Sequence, residues 1–128
     1  MQAQLSRFSD PLYAILRIFA GFMFAQHGAQ KILGMLGGEK VELISRMGLA
    51  GVIELVGGVL ILIGLCTSWA AFLSSGLMAF AYFIVHAPRG FWTIHNGGEL
   101  AVLYCFAFLY IAARGDGVWS VGSMMGKK

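Results

Sequence analysis

His86-Ala-Pro-Arg-Gly-Phe-Trp-Thr-Ile-His-Asn-Gly-Gly-Glu99 lies between two long apolar runs and places two imidazoles, an arginine, an amide and a carboxylate within one short segment. Pro88 ends the apolar run before it, and Asn96-Gly97-Gly98 leads into the run after it. Because both flanks are apolar, the segment predicts a polar loop at the mouth of a helical bundle.

The composition is typical of a membrane protein. Of the 128 residues, 59% are apolar and 12% are charged, about half the charged fraction of an ordinary soluble domain. Four apolar segments, at about 12–33, 47–65, 69–86 and 98–113, approach the roughly 20 residues that a helix needs to cross a bilayer. We therefore predict an all-α fold, a four-helix up-and-down transmembrane bundle, as a single domain over residues 1–128.

Charge and cysteine patterns exclude several classes of function. The net charge is +3, but the cations are scattered at segment ends, as in membrane proteins, which argues against nucleic-acid binding. Cys66 and Cys105 have no CxxC spacing, so no dithiol redox centre is predicted. No flavin or nucleotide fingerprint is present, and no histidine pair is placed deep enough in the bundle for haem.

Four spans place both termini and the 66–68 turn on one side of the membrane. The other two loops share the opposite side, where five polar side chains are expected to meet: His27, Lys31, His86, His95 and Glu99. The terminal side carries five cations, namely Arg7, Arg17, Arg114, Lys127 and Lys128. The loop side carries four, namely Lys31, Lys40, Arg46 and Arg89. This difference favours termini in the cytoplasm.

Local patterns predict how the helices begin and which sides face inward. Asp10-Pro11 predicts an N-cap followed by proline at the first helical position. Thr67 or Ser68 is the predicted cap of the third span, and residues 39–46 are predicted to form a short interfacial helix.

Helical spacing places three sets of residues each on one face of a helix, and we expect the first two faces to turn inward. The sets are Arg17, Gly21, Phe24, Gly28 and Lys31; Gly51, Glu54 and Gly58; and Glu99, Leu103, Phe106 and Tyr110.

Glu54 is an acid well inside an apolar helix, and two interpretations remain open. It forms a buried ion pair with Arg17 that fixes helix register, or the two residues handle protons beside an internal pocket. Glu99 also has two interpretations: it takes part in proton handling, or its charge is simply stabilised by the helix N-terminus or by Lys31. His95, Glu99 and His86 have the residue types of a metal site, but one H-x3-E spacing is too weak for us to predict a metal. Tyr82 either hydrogen-bonds a ligand or packs with its hydroxyl satisfied.

Several motifs, in order along the chain, resemble the DoxX family of four-helix bacterial membrane proteins. They are Gln26-His-Gly-Ala-Gln-Lys-Ile-Leu-Gly34, Glu54 with Gly57-Gly58, Gly64-Leu-Cys-Thr67, Met78-Ala-Phe-Ala-Tyr82, His86-Ala-Pro88, Asn96-Gly-Gly-Glu99 and Gly115-Asp-Gly-Val-Trp-Ser120. The chain departs from the family pattern at Ser68, Leu77 and Gly122, where arginine, glutamate and aspartate are common. These departures put the contacts of the missing charges in doubt, but not the fold.

The resemblance implies a subunit of the bacterial inner membrane that is linked to quinone-dependent oxidation of sulfur compounds. On that reading a quinone is the candidate ligand and the chain interacts with it or docks a redox partner, with no haem, flavin or metal of its own. Glu54 and Glu99 are the predicted catalytic proton-handling residues, and the predicted ligand-binding residues are His27, Lys31, His86, Asn96, Arg17 and Tyr82. The alternative is a non-enzymatic accessory or assembly subunit of a larger membrane complex, and homo-oligomerisation also stays open.

Overall fold

The computed structural model describes residues 1–126, and over that range the chain is all-helical, without strands, as the sequence predicts. Seven α-helices occur there, with a π-helical turn at Tyr82–His86 and a 3-10 turn at Ala87–Arg89 between the fourth and the fifth. The α-helices are α1 Gln2–Ser6, α2 Ser9–Leu33, α3 Arg46–Ile63, α4 Thr67–Ala81, α5 Thr93–Asn96, α6 Glu99–Arg114 and α7 Val121–Met124.

The four long helices, α2, α3, α4 and α6, correspond to the four predicted apolar segments, with ends that differ by a few residues. Within residues 1–126, two stretches are long and apolar enough to cross a membrane: Arg46–Ile63, which is α3, and Thr67–Arg89, which joins α4 to the two turns after it. That α2 and α6 also span, and hence the count of four spans, stays a prediction.

Helices α2 and α3 are in backbone contact through small residues. A Cβ atom on Gly28 would lie 2.6 Å from the Cα of Leu55, and one on Gly58 would lie 2.5 Å from the backbone nitrogen of Ala25. Such distances leave no room for any side chain at either glycine. The predicted small-residue faces therefore pack against each other, as in close helix pairs of membrane proteins.

The core of the bundle is aromatic where α2 meets α6. Phe24 packs against Phe108 and Tyr104 with ring centroids 4.8 and 5.4 Å apart, and Tyr104 stacks on Phe108. Four residues of α6 are buried, namely Ala101, Tyr104, Phe108 and Ile111, whereas the face grouped from the sequence, Glu99, Leu103, Phe106 and Tyr110, is exposed. Both sets have helical spacing, and in a helix that is apolar all round hydrophobicity does not distinguish the inner face.

Arg17 ties three parts of the chain together at the terminal end. It is fully buried, and its guanidinium donates to the carbonyls of Ile61 and Leu62 at 3.2 Å each and to that of Trp119 at 2.7 Å. The carbonyls of the last helical turn carry partial negative charge and have no intrahelical partner. Arg17 therefore stabilises the C-terminus of α3, and the predicted Arg17–Glu54 ion pair is wrong.

Tyr13, one turn before Arg17 on α2, acts on a second helix end in the same way. Its hydroxyl lies 2.6 Å from the carbonyl oxygen of Gly115 and 3.2 Å from that of Ile111, and it donates to this pair. The first turns of α2 thus hold the C-termini of both α3 and α6. This explains why the polar face of α2 begins with a tyrosine and an arginine.

The predicted helix starts need correction. α2 begins at Ser9 with Phe8 as the N-cap, so Asp10 lies in the first turn and pairs with Arg114 at 3.1 Å. Arg114 also donates to the hydroxyl of Tyr110, and this hydrogen bond raises the pKa of the guanidinium. Residues 34–45 form no helix, so the helix predicted over residues 39–46 is wrong. There Ser45 caps α3 by accepting from the Gly48 N–H at 2.9 Å.

The N-terminus of α4 is capped from the far end of the sequence. Thr67 is its first residue rather than its cap, and the Thr67 N–H donates to Asp116 Oδ1 at 3.2 Å. Asp116 Oδ2 lies so close to Gly122 that any side chain there would overlap it. A side chain at position 122 would therefore displace the carboxylate that caps α4. Lys127 and Lys128, which enter the predicted charge count, lie outside the described residues.

Candidate functional site

A cavity of about 360 Å³ lies among α2, α3, α4 and α6, and we call it the central cavity. Most of its wall is apolar, with Phe24 and Met78 among the lining residues. Five residues with polar groups also line it: His27, Lys31, Glu54, His86 and Tyr104. Four of these are among the eight site residues predicted from the sequence, and Tyr104 is new.

Lys31 and Glu54 form the charged pair of the cavity. Lys31 Nζ lies 2.8 Å from Glu54 Oε1 and 2.9 Å from Oε2, and its hydrogen bond is directed at Oε2. The Glu54 side chain is 5% exposed and the Lys31 side chain 23%. Oε1 is buried and accepts no hydrogen bond with good geometry among residues 1–126. A carboxylate has about four acceptor positions, so Oε1 keeps unused acceptor capacity.

Tyr104 supplies a buried hydroxyl to the same cavity wall. The residue is 6% exposed, and its hydroxyl has no hydrogen-bond partner within the described part of the chain. The ring of His27 stands perpendicular to the Tyr104 ring, with centroids 6.4 Å apart. Burying a hydroxyl without a partner costs free energy. A ligand or water that offered a partner here would recover it.

His86 is held at the cavity by the loop that follows α4. Its Nδ1 donates to the carbonyl oxygen of Asn96 at 3.1 Å. Because a carbonyl can only accept, Nδ1 carries the proton, and in the neutral ring Nε2 is left as an acceptor. The ring nitrogens of His86 therefore have different roles, one structural and one available.

Asn96 is a scaffold residue of this loop. It is 1% exposed, and its Nδ2 donates to the Tyr82 hydroxyl and to the Gly90 carbonyl at 3.0 Å each. Its Oδ1 accepts from the Gly98 N–H at 2.8 Å. With both donors and the oxygen engaged, Asn96 has little capacity for a ligand. Asn96 and Tyr82 do not line the central cavity, so the geometry places these two predicted ligand-binding residues in support of His86.

Tyr82 faces a different space, an apolar groove on the outside of the bundle. This groove is about 900 Å³ in volume and is lined by Phe83, Phe91, Trp92 and other apolar residues. The π-helical turn that begins at Tyr82 and the 3-10 turn that contains Pro88 bring these aromatic side chains together. The aromatic residues are exposed, as expected for a belt at a membrane interface.

Glu99 and Arg17 lie away from the central cavity. Glu99 is exposed and lines a surface depression with Thr93 and Leu103, so its predicted convergence with the other polar groups is wrong. Arg17 lies fourteen residues before Lys31 on α2, which is about 21 Å along the helix axis. Across residues 1–126, no three His, Cys, Asp or Glu side chains come close enough to share a metal ion, so His86, His95 and Glu99 do not form the triad considered above.

The central cavity combines apolar walls with a few polar groups, an arrangement typical of sites for small organic ligands. A carboxylate oxygen, a hydroxyl and two imidazoles are available to hydrogen-bond such a ligand, and Lys31 balances the negative charge. Tyr104 was missed because its neighbours in α6 are apolar. The spacing Ala101, Tyr104, Phe108, Ile111 could have revealed it, had the small Ala101 been used to choose the inner face.

Comparisons with known proteins agree with the motifs. The family model described as DoxX matches residues 12–87. A protein of Haemophilus influenzae described as uncharacterised is 41% identical over 131 aligned residues, which cover 97% of this chain and 98% of that protein. No solved structure matches the chain.

Proposed function

The chain belongs to the DoxX family, and on that premise we propose that it is a membrane subunit that binds a quinone-type ligand in the central cavity and serves a membrane oxidoreductase. Its membrane character follows from the family and from the two helices of membrane-spanning length. The chain's own motifs suggest no flavin, nucleotide or haem site, so a partner protein would carry the redox centre and dock against this subunit.

One observation carries the proposal: an apolar cavity contains the buried Glu54 carboxylate, which keeps acceptor capacity beside Lys31, and a Tyr104 hydroxyl that is buried without a hydrogen-bond partner in the described residues. Native proteins pair nearly all buried polar groups. Unused polar capacity of this kind in an apolar wall supports a ligand with polar atoms on an apolar ring. A quinone-type head group has this chemistry, because its carbonyl can accept from Tyr104 and the hydroxyl of its reduced form can donate to Glu54, and its ring suits a cavity near the lower end of the usual ligand-site volumes.

The roles of the predicted site residues change accordingly. Glu54 and Tyr104 would contact the polar atoms of the ring, and His27 and His86 would provide further hydrogen bonds at its edge. Lys31 would balance the charge of Glu54. Arg17, Asn96 and Tyr82 support the fold around the site, and Glu99 is no longer a candidate proton-handling residue.

A second function, a non-enzymatic accessory subunit, has its own support. The Lys31–Glu54 pair joins α2 to α3 without any ligand, so its charges could serve assembly alone. The two functions differ in one measurable respect. An accessory subunit needs no affinity for quinones, whereas a quinone-binding subunit must have it in purified form.

The test is equilibrium binding of decylubiquinone and of its reduced form, decylubiquinol, to the purified protein in detergent under argon. We expect Glu54→Gln to weaken binding of the quinol, whose hydroxyl donates to the carboxylate, and Tyr104→Phe to weaken binding of both forms, each by about tenfold, the loss of one hydrogen bond at a buried polar site. Glu99→Gln is the matched control, because it removes a carboxylate that lies outside the cavity, and its affinity should be unchanged. No binding by the wild type, or equal binding by all the variants, would overturn the proposal and favour the accessory subunit.

A further inference from the structure

We propose that the central cavity selects the reduced form of its ligand, binding a dihydroxy-aromatic quinol more tightly than the corresponding quinone. This inference rests on the proposed function and adds the redox state that the site favours. It follows from the hydrogen-bonding capacity that the polar groups of the cavity retain.

The carboxylate of Glu54 can only accept hydrogen bonds. Lys31 Nζ lies within 2.9 Å of both oxygens, which leaves acceptor positions open, and Oε1 accepts no hydrogen bond with good geometry among residues 1–126. An ionised carboxylate has no proton to donate. A ligand hydroxyl can donate to Oε1, whereas a ligand carbonyl placed there would set two acceptors against each other in a site with little water.

His86 adds a second acceptor. Its Nδ1 proton is already used on the Asn96 carbonyl, so the neutral ring presents Nε2 as an acceptor and has no further proton to give. His86 lines the same cavity as Glu54. A dihydroxy ring has two O–H donors and could satisfy both residues, but a quinone ring has none.

The remaining polar groups do not reverse this preference. The Tyr104 hydroxyl can donate to a carbonyl or accept from a hydroxyl, so it serves either form of the ligand. Lys31 Nζ is a donor, but it lies within 2.9 Å of both oxygens of Glu54 and is committed to neutralising that carboxylate. His27 also lines the cavity, and a neutral imidazole has one donor and one acceptor, so it too serves either form. Discrimination between the two forms therefore falls to Glu54, with His86 in support.

The experiment measures binding of decylubiquinol and decylubiquinone to the purified protein in detergent under argon. We expect the quinol to bind about tenfold more tightly, the lower end of what one hydrogen bond to a charged group contributes. In Glu54→Gln the side chain gains N–H donors, so the ratio of the two affinities should fall to about one. Tyr104→Phe should weaken both ligands by a similar factor and keep the ratio, and Glu99→Gln should change neither.

A second measurement leaves the protein unaltered, in case Glu54→Gln does not fold. The dimethyl ether of decylubiquinol keeps the reduced aromatic ring but has no hydroxyl donor, and it should lose the quinol's advantage. Equal affinities of quinol and quinone, a tighter quinone, or an ether that binds as tightly as the quinol would each overturn the inference and leave quinone binding itself standing. Failure of both redox forms to bind would instead overturn the proposed function.

Discussion

Within residues 1–126, the buried charge of Glu54 is balanced by one cation, Lys31. Its side chain is 5% exposed in the middle of α3, and Lys31 lies within 2.9 Å of both of its oxygens. Taking two charges out of water is costly, and the attraction between them offsets much of that cost only while both partners are present. Removing one partner is therefore more damaging than removing both.

We predict that Lys31→Met lowers the free energy of unfolding by about 3–5 kcal/mol, because it leaves the Glu54 carboxylate buried and unpaired. The double variant Lys31→Met with Glu54→Gln should recover part of that loss, since no net charge then remains in the site. Unfolding in detergent, followed by circular dichroism, measures the change. Lys40→Met is the control, because Lys40 is an exposed cation outside any ion pair of residues 1–126. A Lys31 variant as stable as the Lys40 variant would contradict the role of the pair.

The residues found from the sequence differ physically from those that were missed. Lys31 and Glu54 are charged residues within apolar helices. Because exposing a charged side chain to lipid costs free energy, both are expected to face inward. Tyr104 is an amphipathic residue in an apolar helix, and nothing in its own chemistry says which side of the helix is inside. Arg17 was recognised as inward-facing, but its partners are backbone carbonyls of α3 and of the segment before α7. Every residue has a backbone carbonyl, so the residue types in a sequence do not indicate which carbonyls will accept from an arginine.

At the scale of elements, the close contact of α2 and α3 positions the ion pair. Gly28 lies one turn before Lys31 on α2, and Gly51 lies one turn before Glu54 on α3. A Cβ on Gly28 would lie 2.7 Å from the carbonyl oxygen of Gly51. Backbone atoms cannot move aside as a flexible side chain can. The separation of the two helices at this level therefore controls whether Lys31 reaches Glu54.

Gly28→Ala should therefore destabilise the fold by about 1–3 kcal/mol, the usual cost of overpacking, and should weaken ligand binding as well. Gly76→Ala is the matched control: Gly76 is an exposed glycine of α4 with no atom within 4 Å of an added Cβ. It should be neutral or slightly stabilising, because alanine favours a helix by up to about 1 kcal/mol over glycine. Thermal unfolding of the two variants in detergent compares them. Equal melting temperatures would mean that α2 and α3 do not rely on this contact.

Helix existence was predictable from the sequence, but helix caps were not. The four apolar runs are long, and their length alone indicates helices. The cap of α4 comes instead from Asp116, forty-nine positions after the residue whose N–H it accepts. Local rules favoured Thr67 and Ser68, which have cap chemistry, and had no access to a distant carboxylate. The helix wrongly predicted over residues 39–46 has a different cause, because Ser45 is a local N-cap of α3 and its extended backbone separates that segment from the helix.

At the scale of the whole molecule, the two ends of the bundle have different chemistry. The end with the central cavity has the Lys31–Glu54 pair and the loop organised by Asn96. The terminal end has Arg17 buried among carbonyls and a polar cavity of about 480 Å³ lined by Cys66, Arg114 and Asp116. A membrane subunit with two such different ends must have one orientation to work with a partner on a given side. Orientation is therefore part of the functional proposal.

The excess of cations at the terminal end predicts that this end faces the cytoplasm. Cys66 reports on it directly, because it is an exposed free thiol at that end, whereas Cys105 is half-buried within α6. We expect a membrane-impermeant maleimide to leave Cys66 unlabelled in spheroplasts and to label it in inverted membrane vesicles. Cys66→Ser is the control that assigns the signal, and a Cys105→Ser variant should label like the wild type. Strong labelling of Cys66 in intact spheroplasts would reverse the orientation and place the mouth of the central cavity on the cytoplasmic side.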